Sequence, residues 1–200
     1  MTQQLAVADI LTQKDVFTDL ISRPITVVYS DPPWNPGNEK WWRRHADVEP
    51  PDSYDALLDA WCSCVTECRP AHIFCEHSAI PRHRAMMMAA IERCREWTLP
   101  LQIEWTVYYG SPKRPNVLLH FGTSLIATDP AGMSGEAMTL TALVGLGYPP
   151  GVTIADPCIG KGMVSRLAHK LGWNCVGTEL NPKRLDRTIE WLLKHGYRER

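Results

Sequence analysis

Residues 154–180 read IADPCIGKGMVSRLAHKLGWNCVGTEL. An apolar run stops at Asp156, a turn carries Gly160 and Gly162, and Met163, Val164, Leu167 and Leu171 then recur at helical spacing. NCVGTEL (174–180) predicts a further strand that ends near Glu179. The segment is therefore a strand, turn, helix and strand, the unit from which parallel sheets are built.

The rest of the chain repeats this alternation. Strands are expected at 25–30, 71–78, 101–109, 116–129 and 151–157. Ser53 can cap a helix carrying Leu57, Leu58, Trp61 and Val65 that Pro70 ends. Further helices are expected at 82–96, where Met86, Met87 and Met88 read as core filler, and from Ser134 to about Leu146. Asn181 caps a last helix with Pro182 at its first position, and Gly196 ends it. Strands alternating with helices predict an α/β fold, a doubly wound and mostly parallel sheet of Rossmann-like type. No repeat or linker divides it, so 1–200 reads as one domain.

The glycine turn suggests a nucleotide-type cofactor. Glycines let backbone approach a ligand, and an acid at the end of the next strand can accept both ribose hydroxyls. Two rival motifs fail. A P-loop needs glycine at 155 and Ser or Thr at 162, where the chain has Ala155 and Gly162. The dinucleotide pattern needs glycine at 165, where the chain has Ser165.

A second signal lies at VVYSDPPWNPG (27–37). A β-branched run stops at Asp31, and Pro32, Pro33 and Trp34 follow at once. Proline cannot donate to a sheet ladder, so the strand ends here. A carboxylate, two rigid residues and an aromatic then stand at a strand's carboxyl end, where open α/β sheets bind ligands.

DPPW (31–34), followed by ADPCIGKG (155–162) and VGTELNP (176–182), resembles the S-adenosyl-L-methionine-dependent amino-methyltransferases. The order, catalytic motif first and cofactor motif (154–182) last, is similar to the permuted group that includes DNA adenine-N6 methyltransferases and DPPW-type RNA adenine methyltransferases. The resemblance covers nearly the whole chain. It implies a class I methyltransferase fold, with S-adenosyl-L-methionine as cofactor and an exocyclic base amine as acceptor. Asp31 and the Pro32 carbonyl would accept the two amine hydrogens, Pro33 would stiffen the motif, and Trp34 would stack on the base. Asp156, Cys158, Gly160, Lys161, Gly162, Glu179 and Asn181 fall on the cofactor segment, with Glu179 as the ribose acid. VADIL (7–11) resembles the segment upstream of the catalytic strand and would place Asp9 and Ile10 near the cofactor's adenine. Cys158, Ile159 and Lys161 depart from the usual loop, and Ala8 replaces a glycine. Cytosine-N4 relatives usually carry serine where Asp31 stands, so DNA adenine N6 leads. RNA adenine, and a non-catalytic subunit scaffolding an active partner, are the alternatives.

Two loops should flank Asp31. PGNEKWWRRH (36–45) supplies Lys40, Arg43 and Arg44 for phosphates and Trp41 and Trp42 for stacking or wedging, and GSPKRPN (110–116) adds Lys113 and Arg114. The target base would be flipped out or already single-stranded. Only 79–150 separates the second strand from the cofactor strand, which leaves no separate target-recognition domain and gives a homodimer or a partner subunit a place in recognition. The net charge of −1 gives no support for non-specific nucleic-acid binding by the whole chain. Seven scattered cysteines with no C-x-x-C pair read as buried thiols, and no metal is expected. No signal peptide or long apolar run is seen, so a soluble, cytoplasmic protein without membrane contact is expected.

Overall fold

A computed structural model describes residues 1–197. The strands are β1 (Gln3–Val7), β2 (Val27–Ser30), β3 (His72–Ser78), β4 (Leu101–Tyr108), β5 (Pro115–Gly122), β6 (Thr153–Asp156) and β7 (Asn174–Glu179). The helices are α1 (Lys14–Asp19), α2 (Pro36–His45), α3 (Tyr54–Glu67), α4 (Pro81–Arg93), α5 (Gly135–Val144), α6 (Met163–Leu171) and α7 (Pro182–Lys194). The seven strands form one sheet in the order β1-β7-β6-β2-β3-β5-β4. The pairings from β1 to β3 are parallel, whereas β5 runs antiparallel to both β3 and β4.

Strands β2, β3, β6 and β7 are buried along their whole length, as strands covered by helices on both faces must be. On one face Phe17, Leu58, Trp61, Met87 and Ile91 of α1, α3 and α4 pack on Val28 and Ile73. On the other, Met138, Leu143, Val164 and Leu167 of α5 and α6 pack on Tyr29 and Phe74. The chain leaves β6 through α6 toward β7, and leaves β2 through α3 toward β3, so the two connections depart in opposite directions. A topological switch point therefore lies between β6 and β2, the place where an open α/β sheet parts into a crevice. Asp156 closes β6 there, and Asp31 directly follows β2.

Three expectations are corrected, and one strand is added. Residues 36–45 form a helix, not a loop: Asn35 accepts from the Asn38 amide at 3.0 Å, Pro36 takes the first turn, and Glu39 pairs with Arg43 one turn on. The strand expected at 116–129 ends at Gly122. Beyond it the chain turns to α5, where Ala127 N–H donates to the Gly145 carbonyl and the Thr128 hydroxyl to Thr141. The helix expected at 82–96 stops at Arg93 because Cys94 is extended. Finally, β1 was not foreseen. QQLAV is a half-exposed edge strand without a strong apolar pattern, held in register from Gln3↔Cys175 to Val7↔Glu179.

Candidate active site

The carboxyl ends of β6, β7 and β2 enclose a cleft of about 460 Å³, within the usual size of a small-ligand site. Its floor is the turn after β6. Gly160 and Gly162 are left-handed, at φ +58° and +71°. A Cβ on Gly162 would lie 2.2 Å from the Thr188 side chain of α7, so only glycine lets helix and turn close. Asp156, at the strand end, accepts from the Cys158 amide at 2.9 Å. Removal from water, followed by the nearby Glu179 carboxylate, pushes Asp156 up to about 7. Glu179 accepts from the Asn181 amide at 2.9 Å, and the Arg184 guanidinium stands 3.9 Å away. Burial is also the main reason Glu179 titrates above its ordinary range.

Facing this turn across the switch point, Asp31, Pro32, Pro33 and Trp34 line the opposite wall. The Trp34 indole N–H donates to the Asp31 carboxylate. Removal from water, and then the Glu76 carboxylate, raise Asp31 well above the ordinary carboxylate range, while Trp34 and Arg184 oppose that rise. Helix α3 braces the motif from behind. The Tyr54 hydroxyl donates to the Pro33 carbonyl, and the Trp61 indole donates to Ser30 at 3.0 Å.

Most of the residues expected at the site converge. Asp9, Ile10, Asp156, Cys158, Gly160, Lys161 and Glu179 line the cleft together with the DPPW quartet. Gly162 lies behind the lining, as the turn's hinge. Asn181 is placed differently: its side chain accepts from the Lys183 amide at 3.0 Å and donates to the His45 carbonyl at 2.8 Å, which makes it a helix cap and a tether to α2. Asp9 is engaged from two sides, by the Leu11 amide at 3.0 Å and by Arg43 at 2.7 and 2.9 Å.

That last contact corrects the phosphate role expected of Arg43. Its side chain is only 5% exposed and is shared between Asp9 and Glu39, so it faces inward and holds α2 against the cleft. Trp42 also turns inward, lining the cleft with the Arg184 guanidinium 4.0 Å above its ring. Lys40, Trp41, Arg44, Lys113 and Arg114 are exposed, the first three on α2 and the last two in the turn after β4. Since β4 runs in the same direction as β2, that turn opens on the same edge as Asp31.

Several lining residues escaped the sequence reading, four of them with chemistry of their own. Glu76 sits on β3, Tyr109 meets Trp34 edge-on at 4.8 Å, Arg184 lies in the first turn of α7, and Met163 opens α6. Tyr109, an exposed aromatic beside the KRP turn, carried a usable signal; a glutamate inside a buried strand reads only as an anomaly. The Arg184 Nε is buried with no hydrogen-bond partner among the described residues, as expected of a donor set for a ligand. Cys62, Cys64, Cys68 and Cys75 are packed in the core. Among the described residues no helix is long and apolar enough to cross a membrane.

No protein-family model and no curated protein matches the chain. Solved structures do. The TTHA0409 protein of Thermus thermophilus, assigned as a DNA modification methylase and complexed with S-adenosyl-L-methionine, is similar with a TM-score of 0.67 at 15% identity, covering 98% of each chain. The M1.HpyAVI–SAM complex is similar with a TM-score of 0.66 at 13% identity, covering 96% of this chain and 99% of that one. The PvuII DNA methyltransferase, cytosine-N4-specific, gives 0.64 at 12% identity over 99% of this chain and 89% of its own. At such identities the likeness is one of fold, and that fold is the seven-stranded α/β sheet of class I methyltransferases.

Proposed function

We propose that this protein transfers a methyl group from S-adenosyl-L-methionine to the exocyclic N6 amine of adenine in DNA, as one permuted methyltransferase domain. One observation carries the reading: the DPPW quartet after β2 and the acids Asp156 and Glu179 after β6 and β7 line a single cleft at the switch point. The solved structures that share the fold include two complexed with this cofactor, one of them named as a DNA modification methylase, which supports both polymer and cofactor. They also include an enzyme of cytosine-N4 specificity, so the choice of adenine rests on Asp31 and its resemblance.

The donor set suits the cofactor. Glu179 would accept from the ribose hydroxyls, and the left-handed Gly160 lets backbone approach the ligand. Arg184 and Lys161 offer positive charge for its carboxylate. The cofactor supplies an electrophilic methyl on a sulfonium. Positioning then dominates, because an exocyclic base nitrogen is a poor nucleophile whose lone pair is delocalised into the ring. Asp31 and the Pro32 carbonyl accept its two hydrogens, draw it toward tetrahedral geometry and free the lone pair. Trp34 must release Asp31 as the amine arrives, and with Tyr109 it offers aromatic faces to an extruded base. Exposed Lys40, Arg44, Lys113 and Arg114 would track phosphates, with Trp41 beside them. A second copy or a partner subunit would complete target recognition.

The test is incubation with labelled S-adenosyl-L-methionine and duplex DNA, single-stranded DNA and RNA, followed by nucleoside mass spectrometry. N6-methyldeoxyadenosine, absent with Asp31→Ala, is expected. N4-methyldeoxycytidine would reassign the base, and label in RNA alone would reassign the polymer.

A further inference from the structure

Strands β2 and β3 pair in parallel with Ser30 opposite Cys75 and Tyr29 opposite Phe74. Carried one residue further, that register sets Asp31 beside Glu76, on the face that Tyr29 and Phe74 share, and both acids line the cleft. Glu76 is only 3% exposed. The Asn116 amide, itself buried on β5, donates to it at 2.9 Å. Asp31 is half-buried at the cleft wall, and two carboxylates side by side there, one of them fully withdrawn from water, cannot both ionise readily. The Trp34 indole N–H, donated to Asp31, relieves part of that repulsion, and the other groups around the two acids add little. Asp156 from β6 adds a third acid, Cys75 and Cys158 are thiols, Tyr29 is a phenol, and Arg184 from α7 is the cation that faces Asp31.

We infer that Asp31 and Glu76 form one acid pair that holds a shared proton until a sulfonium cation enters the cleft, so that the charged methyl donor binds with proton release and its neutral thioether product binds without it. The inference rests on the proposed methyl transfer, which brings the sulfonium next to an amine held on Asp31. Asn116 donates to Glu76 as the Trp34 indole donates to Asp31, so the single negative charge and the single proton belong to the pair. Both acids are raised mainly by their removal from water, in keeping with a pair that keeps one proton.

The charges then balance through a turnover. With one proton the pair carries a single negative charge. Entry of the sulfonium expels that proton, and two negative charges face one positive charge. Asp31 is now a full acceptor for the amine. As the N–C bond forms, the electrons of the C–S bond stay on sulfur and the cation disappears. The amine proton passes to Asp31, and the pair is again singly charged. The cleft thus keeps the same net charge before and after transfer, and the neutral product loses the attraction that held the donor.

Isothermal calorimetry in buffers of different ionisation enthalpy, near pH 6.5, tests this with S-adenosyl-L-methionine and S-adenosylhomocysteine as probes. The two share their ribose and amino-acid ends, so protons from Asp156 or from the ligand's own amine cancel in the difference. The donor should release up to one proton more than the product. Its affinity should fall by up to about tenfold per pH unit on the acid side, by proton linkage. Glu76→Gln, and independently Asp31→Asn, should remove the difference while both probes still bind. Equal proton release for the two probes, or a difference that persists in both variants, would overturn the pair. Failure of either probe to bind at any pH would instead overturn the cofactor reading on which the pair rests.

Discussion

The Trp34 indole N–H is hydrogen-bonded to the Asp31 carboxylate three residues away, while its ring meets Tyr109 edge-on. The aromatic of the motif thus occupies the acceptor that the target amine would use. Trp34→Phe keeps a stacking face and frees Asp31, so affinity for single-stranded DNA should change only slightly. Trp34→Ala removes the face and should weaken binding by about 1–3 kcal/mol, the contribution of one base–aromatic stack. Fluorescence-anisotropy titrations of both variants check this; equal losses in the two would mean that the N–H, not the ring, matters.

Arg43 and Arg44 are neighbours with opposite fates. Arg43→Ala leaves Asp9 and Glu39 as buried unpaired carboxylates and should cost about 3–5 kcal/mol of stability. Arg44→Ala should leave stability within about 0.5 kcal/mol but flatten the salt dependence of DNA binding by ~0.7–0.9. Urea denaturation and binding at several salt concentrations separate the two. An Arg43 variant of normal stability would refute the clamp.

Glu179→Ala removes the buried acid at the end of β7 and, on the proposed binding mode, would leave two ribose hydroxyls without acceptors. S-adenosyl-L-methionine affinity should drop by about 1–3 kcal/mol. Calorimetry on a variant whose melting curve is cooperative measures it, and unchanged affinity would move the ribose elsewhere in the cleft.

Asp156 gives the fold a pH signature. Its carboxyl is pushed up to about 7, from about 3.9 in an unfolded chain, because burial and Glu179 oppose its charge. The folded state therefore binds this proton more tightly than the unfolded state. The contribution is fully present below about pH 4 and is lost as pH rises through about 7. Asp156→Asn should remove that part of the slope, so melting temperatures from pH 4 to 8 should decline less in the variant than in the parent. Parallel curves would place Asp156 in a more solvated or better paired setting.

The centre of the molecule was legible in the sequence because its signals are local. Apolar strands stopped by Asp31 and Asp156, glycines at 160 and 162, and an acid one strand later are statements about backbone chemistry within some thirty residues. They sufficed for the parallel sheet and for the two walls of the cleft. Asn35 and Pro36 held an equally local cue for α2, which the tryptophans and arginines of 36–45 masked. What only the tertiary structure decided are pairings between distant residues. Arg43 looks like half of a basic surface pair until Asp9, which precedes β2 in the chain as Arg43 follows it, closes on it. Trp42 turns inward because Arg184 lies above it, and Tyr54 matters because α3 brings its hydroxyl to the Pro33 carbonyl. Glu76 becomes the neighbour of Asp31 through the register of β2 and β3, since hydrogen bonding between strands, not sequence spacing, determines which side chains share a face.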